Sequence, residues 1–131
     1  DPGNATWMMA AAICQYRANP ADSRQYQAIE RSLAAALAKT GDKAPALDVL
    51  GKIEMEKGEW SAAAGYFRRM TALDKGDLAA WKQAIACLLY AGDPTSANQC
   101  LEQALAIVPG DAELASLASQ VKDALAREAK P

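Results

Sequence analysis

The side chains best equipped for chemistry in this sequence are three cysteines, Cys14, Cys87 and Cys100, and a carboxylate pair, Glu54 and Glu56. A thiolate can act as nucleophile, metal ligand or half of a disulfide, and paired carboxylates can do general acid–base work. Each of these roles needs a helper. The chain has no histidine, so the commonest general base and the commonest metal ligand are both missing, and a Cys or Ser nucleophile loses its usual activator. No C-x-x-C occurs, and three thiols cannot all pair internally. They read as small buried hydrophobes; the alternative is a Cys87–Cys100 disulfide across a helix hairpin, which an oxidising compartment would permit. Glu54 and Glu56 stand between Lys52 and Lys57 and read as a solvated face rather than an acid–base pair. The glycines form no phosphate-cradling loop and read as turns and packing contacts, while Asn4-Ala5-Thr6 matches a glycosylation sequon too short to be specific. No enzymatic activity, cofactor or metal is expected.

The elements that would position any site are helices. Hydrophobic residues make up 51% of the 131-residue chain but aromatics only 6%, and roughly a quarter of all residues are Ala, the best helix former, while strand-favouring residues are scarce. The expected fold class is all-α. A single domain of this length buries about two-thirds of its unfolded surface without staples. A net charge of −2 gives no broad positive field, which disfavours nucleic acid and anionic membranes as partners. The longest apolar run, Trp7 to Cys14, is far short of the roughly 20 residues a bilayer span needs, and no basic segment precedes it as in a signal peptide. A start at Asp1 suits a processed protein or an expressed fragment, with cytoplasm and periplasm both open.

A period organises the chain. Gly58 and Gly92, Ala63 and Ala97, Phe67 and Leu101, Tyr26 and Trp60, and the steps Gly76-Asp77 and Gly110-Asp111 each stand 34 residues apart. Repetition at this length implies stacked supersecondary units, none able to bury its apolar face alone. Apolar steps of three and four predict helices over 5–18, 23–39, 44–56, 60–73, 78–90, 94–107 and 111–127. Gly58 and Gly92 fall where a short turn must reverse the chain; Pro94 suits a first helical turn, and Pro109-Gly110-Asp111 ends one helix and caps the next. The last helix has one apolar stripe and a polar opposite face, as a terminal cap should.

The pattern resembles the tetratricopeptide repeat, whose 34-residue unit carries W-x2-L-G-x2-Y, A-x3-F and a later A and P. Leu50-Gly51, Gly58, Trp60, Ala63 and Phe67 match in the unit 44–77; Trp81, Gly92, Ala97, Leu101, Ala104 and Pro109 match in the unit 78–111. A weaker first unit, about 5–43, holds Tyr26, Ile29 and Leu33, with roughly six extra residues between its helices. Two departures stand out: Ile85 replaces the first-helix Gly, so its helices approach less closely, and Glu54 replaces an aromatic. The resemblance implies one domain over 1–131, a right-handed superhelix of antiparallel hairpins closed by a capping helix over 112–128. Gly51, Ala63 and Ala97 are the small residues that let backbones approach, and Phe67 or Leu101 fills the gap.

The resemblance also implies where a partner sits. First helices line a concave groove, and the register places Asp48, Lys52, Met55 and Glu56 there, then Lys82, Ala86, Leu89 and Tyr90, with Ser116 and Gln120 from the cap. With Trp7 in the aromatic place of the first unit, Met8, Ala12, Gln15 and Tyr16 join them. Some family members grip a terminal carboxylate through Lys, Asn and Arg; the equivalent places here are Asp48, Lys52, Gln83, Glu113 and Leu117, so that clamp is largely lost. Met8, Tyr16, Met55, Leu89 and Tyr90 would form an apolar strip suited to a peptide, or Leu89 and Tyr90 would pack between hairpins. The expected function is noncatalytic capture of a partner's peptide or helix, as adaptor, chaperone or assembly factor, in the manner of small bacterial repeat proteins of secretion or pilus systems. The alternative is a self-associating scaffold or a piece of a longer repeat array in an envelope complex, for which the apolar first helix is the discriminator.

Overall fold

The computed structural model describes residues 2–129. Seven α-helices run in order among them: α1 (Pro2–Ala18), α2 (Tyr26–Thr40), α3 (Ala44–Glu56), α4 (Trp60–Leu73), α5 (Leu78–Tyr90), α6 (Pro94–Ile107) and α7 (Ala112–Glu128). From residue 44 onward these bounds lie within a residue of those expected. The start of the second helix differs. Asp22 accepts from the Arg24 backbone N–H and the Gln25 amide, which ties residues 23–25 into a short 3-10 turn and delays α2 to Tyr26. No strand occurs among the described residues.

Local chemistry sets the hairpins. Gly58 and Gly92 adopt φ of 76° and 77°, the left-handed region that side chains with a Cβ resist. In both turns the next residue donates its N–H back to the helix just ended, Glu59 to the Glu54 carbonyl and Asp93 to the Leu88 carbonyl, each at 2.9 Å, which satisfies carbonyls the helix would leave unpaired. Asp77, Asp93 and Asp111 each precede a helix and accept the N–H of Ala80, Ser96 and Leu114 at 3.2, 3.1 and 3.0 Å, the expected action of an N-cap.

Each helix packs on the next, and α1 also meets α3 while α5 meets α7. The result is a solenoid of antiparallel hairpins with α1, α3, α5 and α7 forming one layer and α2, α4 and α6 the other. The core runs between the layers through Ile29, Leu33, Leu47, Leu50, Ile53, Phe67, Ile85, Leu114 and Val121. Gly51 does what its place implies: a Cβ there would stand 2.7 Å from Phe67 Cζ, so only Gly admits the ring. Ala63 and Ala97 are fully buried. At the next hairpin Ile85 faces the position of Gly51 and Leu101 that of Phe67; there α5 and α6 meet less extensively than α3 and α4 do. Trp81 is buried and donates its indole N–H to the Lys75 carbonyl at 2.9 Å.

Three expectations are corrected. Trp7 is 77% exposed and does not fill an aromatic core place. The buried side of α1 is instead Ala5, Met9, Ala12, Ile13 and Tyr16, a helical face centred opposite Trp7. The register inferred from Trp7 is therefore wrong. Glu54 is not solvated: it is 9% exposed and lies against Glu30 of α2. Cys14 is exposed rather than buried, while Cys87 and Cys100 are the small buried thiols expected, free of the alternative disulfide, and burial pushes Cys87 up to about 11.

Candidate partner-binding groove

The stacking of α5 and α7 leaves an open trough of about 480 Å³ between them. Its α5 wall is Ala79, Lys82, Gln83 and Ala86, at the three- and four-residue steps that keep side chains on one helical face, and its α7 wall is Glu113, Ser116, Leu117 and Gln120 on the same principle. Capping by Asp77 and Asp111 fixes where both helices start and hence the register of the two walls.

Charge in the groove is paired internally, one ammonium against two carboxylates. Lys82 Nζ lies 3.2 Å from Asp111 and 3.3 Å from Glu113. Partial burial works against its charge, but the two carboxylates outweigh it and hold the ammonium above its ordinary range. Asp111 is held low by its cap bond to the Leu114 N–H, and further by Lys82. Lys52 on α3 is likewise paired with Asp48 at 2.9 Å, one helical turn before it. Neither lysine is left to grip an anion. What remains facing the trough is a set of neutral donors and acceptors, Gln83, Ser116 and Gln120, over Ala79, Ala86 and Leu117.

The structure brings some of the expected site residues together and separates others. Lys82, Ala86, Ser116 and Gln120 share the trough with Gln83, Glu113 and Leu117. Leu89, half-buried, lines a smaller hollow of about 190 Å³ that shares Gln120 with the trough and adds Asp123, Ala124 and Arg127. Lys52 and Met55 sit on α3 and Met8 on α1, outside it. Tyr16 is 9% exposed and part of the core, its ring 6.4 Å from Tyr26. Tyr90 is 70% exposed but stacks on Trp60, ring centroids 4.6 Å apart, which turns it toward the hairpin edge. The five residues of the apolar strip do not form one surface. Ala79, at the second place of α5, carries no chemical signature and is reached only by register; the Trp60–Tyr90 stack joins α4 to α5 across 30 residues of sequence and has no local signal.

Among the described residues no group of His, Cys, Asp or Glu could hold a metal ion, and no helix is long and apolar enough to cross a membrane. Residues 54–121, more than half of the chain, match the family model of the tetratricopeptide repeat. No curated protein matches the chain. The 34-residue interval, the hairpin stack and this match agree: the chain belongs to the tetratricopeptide repeat family, whose repeats are generally protein–protein interaction modules.

Proposed function

We propose that the chain is a noncatalytic binder whose trough between α5 and α7 holds an extended, internal segment of a partner protein. The observation that carries this reading is the pairing of Lys82 with Asp111 and Glu113. A partner's terminal carboxylate would meet no free cation there and would face the exposed Glu113 instead. A peptide backbone, by contrast, finds amide and hydroxyl partners in Gln83, Ser116 and Gln120 and an apolar floor for one or two side chains. Such a surface suits an adaptor, chaperone or assembly factor, which holds a partner without transforming it.

The test starts from peptides selected out of a random displayed library against the wild-type protein. Binding of a selected peptide is then measured by calorimetry to wild type, Ala86→Arg and Lys52→Ala. Ala86→Arg fills the trough and is expected to weaken binding by about 10-fold or more, which corresponds to about 1.4 kcal/mol. Lys52→Ala, outside the trough, should leave it within about two-fold, a change near the RT scale, as should amidation of the peptide's C-terminus. Full affinity in Ala86→Arg, with helical circular dichroism retained, removes the trough from consideration.

A further inference from the structure

The trough between α5 and α7 carries a charge imbalance at one end. Lys82 supplies one positive charge there, and Asp111 and Glu113 supply two negative ones. The two carboxylates are not equivalent. Asp111 has both oxygens committed, Oδ1 to the Leu114 N–H and Oδ2 to Lys82. The Glu113 side chain is 78% exposed and, among the described residues, pairs with no cation other than the Lys82 it shares. The surplus negative charge therefore sits on Glu113, at the rim of the trough. Farther along, the adjoining hollow is lined by Asp123 and Arg127, one of each sign, so the imbalance stays at the Glu113 end.

One helical turn further the walls are apolar. Ala86 and Leu117, both half-buried, stand four residues after Lys82 and Glu113 respectively, which is about 6 Å along each helix at a rise of about 1.5 Å per residue. Alternate residues of an extended chain point to the same side, about 6.5–7 Å apart. A segment lying along the trough thus sets one side chain against Glu113 and the next but one over Ala86 and Leu117, with the residue between them turned outward. The amides of Gln83 and Gln120 and the hydroxyl of Ser116 can donate to or accept from any backbone, so they hold the segment without selecting its sequence. Selection falls to the other two places. A carboxylate in the first would face Glu113 across an ammonium that two carboxylates already share, whereas a cation there restores the balance.

We infer that the partner segment carries a lysine or arginine placed against Glu113 and, separated from it by one residue, an aliphatic side chain placed over Ala86 and Leu117. The inference rests on the reading of the trough given above and adds its selectivity: acidic segments are disfavoured and basic–x–aliphatic ones retained. An exposed pair contributes modestly and weakens as salt screens it.

Calorimetry on the whole chain, with end-capped peptides taken from the displayed-library selection, tests this. Sequences retained by wild type should be enriched in Lys or Arg one residue removed from Leu, Ile or Val. Replacing that basic residue by Gln should weaken binding to wild type by about two- to five-fold, the range of an exposed ion pair, and the loss should be smaller at high ionic strength. Against Glu113→Gln the same replacement should change nothing, and Glu113→Lys should prefer the peptide in which Glu stands in that place. Shifting the basic residue by one position turns it away from the wall and should cost as much as removing it. Glu113 is a surface residue, and circular dichroism checks that both variants fold. Selected peptides as rich in Asp and Glu as in Lys and Arg overturn the inference, as does a loss on replacing the basic residue that persists undiminished in Glu113→Gln. Ala86→Gln, which obstructs the trough without adding charge, separates this failure from that of the trough itself. Peptides weakened by Ala86→Gln but indifferent to the Glu113 variants leave the trough standing and remove the cation; peptides indifferent to all three variants remove the trough as well.

Discussion

Between α3 and α4 the seam closes on one ring: Phe67 is fully buried and occupies the space a Cβ on Gly51 would need. The α1–α2 hairpin joins the rest through the same continuous apolar core, with Ile29 and Leu33 buried alongside Leu47 and Leu50, and through ionic ties as well. Lys57 Nζ reaches Glu30 at 3.0 Å and Glu54 at 3.1 Å, and Arg69 forks onto Asp42, its Nε at 3.1 Å. The turns differ in the same sense. The later hairpins reverse in three residues through a left-handed glycine, whereas α1 returns to α2 through residues 19–25, held by Asp22 and by the Tyr26 hydroxyl donating to the Pro20 carbonyl. One kind of turn recurs every 34 residues, while the other is held by polar contacts made once. Apolar seams unfold together with the core, while exposed ion pairs contribute little and yield first.

The largest effect should come from breaking the seam. Phe67→Ala removes a buried ring beside a glycine that cannot refill the space, and is expected to lower stability by about 3–5 kcal/mol, read as the shift in urea midpoint. A loss below about 1 kcal/mol would mean that the α3–α4 hairpin closes elsewhere. A smaller and more local effect is expected at the other region. Tyr26→Phe deletes the hydroxyl bond to Pro20 and should lower stability by about 1 kcal/mol. Hydrogen exchange sharpens the comparison: amides of α1 and α2 should exchange faster in Tyr26→Phe, with those of α5 and α6 unchanged. Equal acceleration throughout would make the first hairpin part of the same cooperative unit.

This contrast also explains what could be read from the residues alone. Leu50, Gly51, Ala63, Phe67, Ala97 and Leu101 were legible because apolar packing repeats with the hairpin, and a repeated spacing is visible in one sequence. Asp111 was legible as a cap because capping is local. Tyr16 was misplaced because its assignment depended on Trp7 sharing the period, and α1 turns that indole outward. Glu54 was misread because nothing near it in sequence announces Glu30, which meets it only once α2 has been laid against α3. In the trough, Lys82, Ala86, Ser116 and Gln120 followed from helical register; that Lys82 is neutralised by Asp111 and Glu113 did not, since the pairing needs α7 in place. The Trp60–Tyr90 stack depends on tertiary approach in the same way.

The finest test lies in the Glu30–Glu54–Lys57 cluster. Burial raises the Glu54 carboxyl above its ordinary value, and a hydrogen bond with Glu30 adds to this against the pull of Lys57. Burial acts on Glu30 in the same direction, but hydrogen bonds from Glu54 and Lys57 outweigh it and leave that carboxyl low. The two groups therefore oppose each other in acid. Glu30 contributes stability above its unfolded value and loses it as pH falls through its lowered value. Glu54 is the reverse: its folded value exceeds the unfolded one, so its contribution is complete below the unfolded value and disappears as pH rises through the raised one. As pH rises through the raised value, Glu54 ionises at a site that favours its neutral form. Glu54→Gln supplies a permanent neutral donor to Glu30 and keeps the Lys57–Glu30 pair, so the variant should melt above wild type wherever pH exceeds the raised Glu54 value. The advantage should shrink as pH falls through the raised Glu54 value and vanish once wild-type Glu54 is protonated. Melting curves from pH 7.5 down to about 4, near the ordinary carboxylate range, would show this convergence. A difference that stays constant with pH would mean that the junction between α2 and α3 holds no such proton.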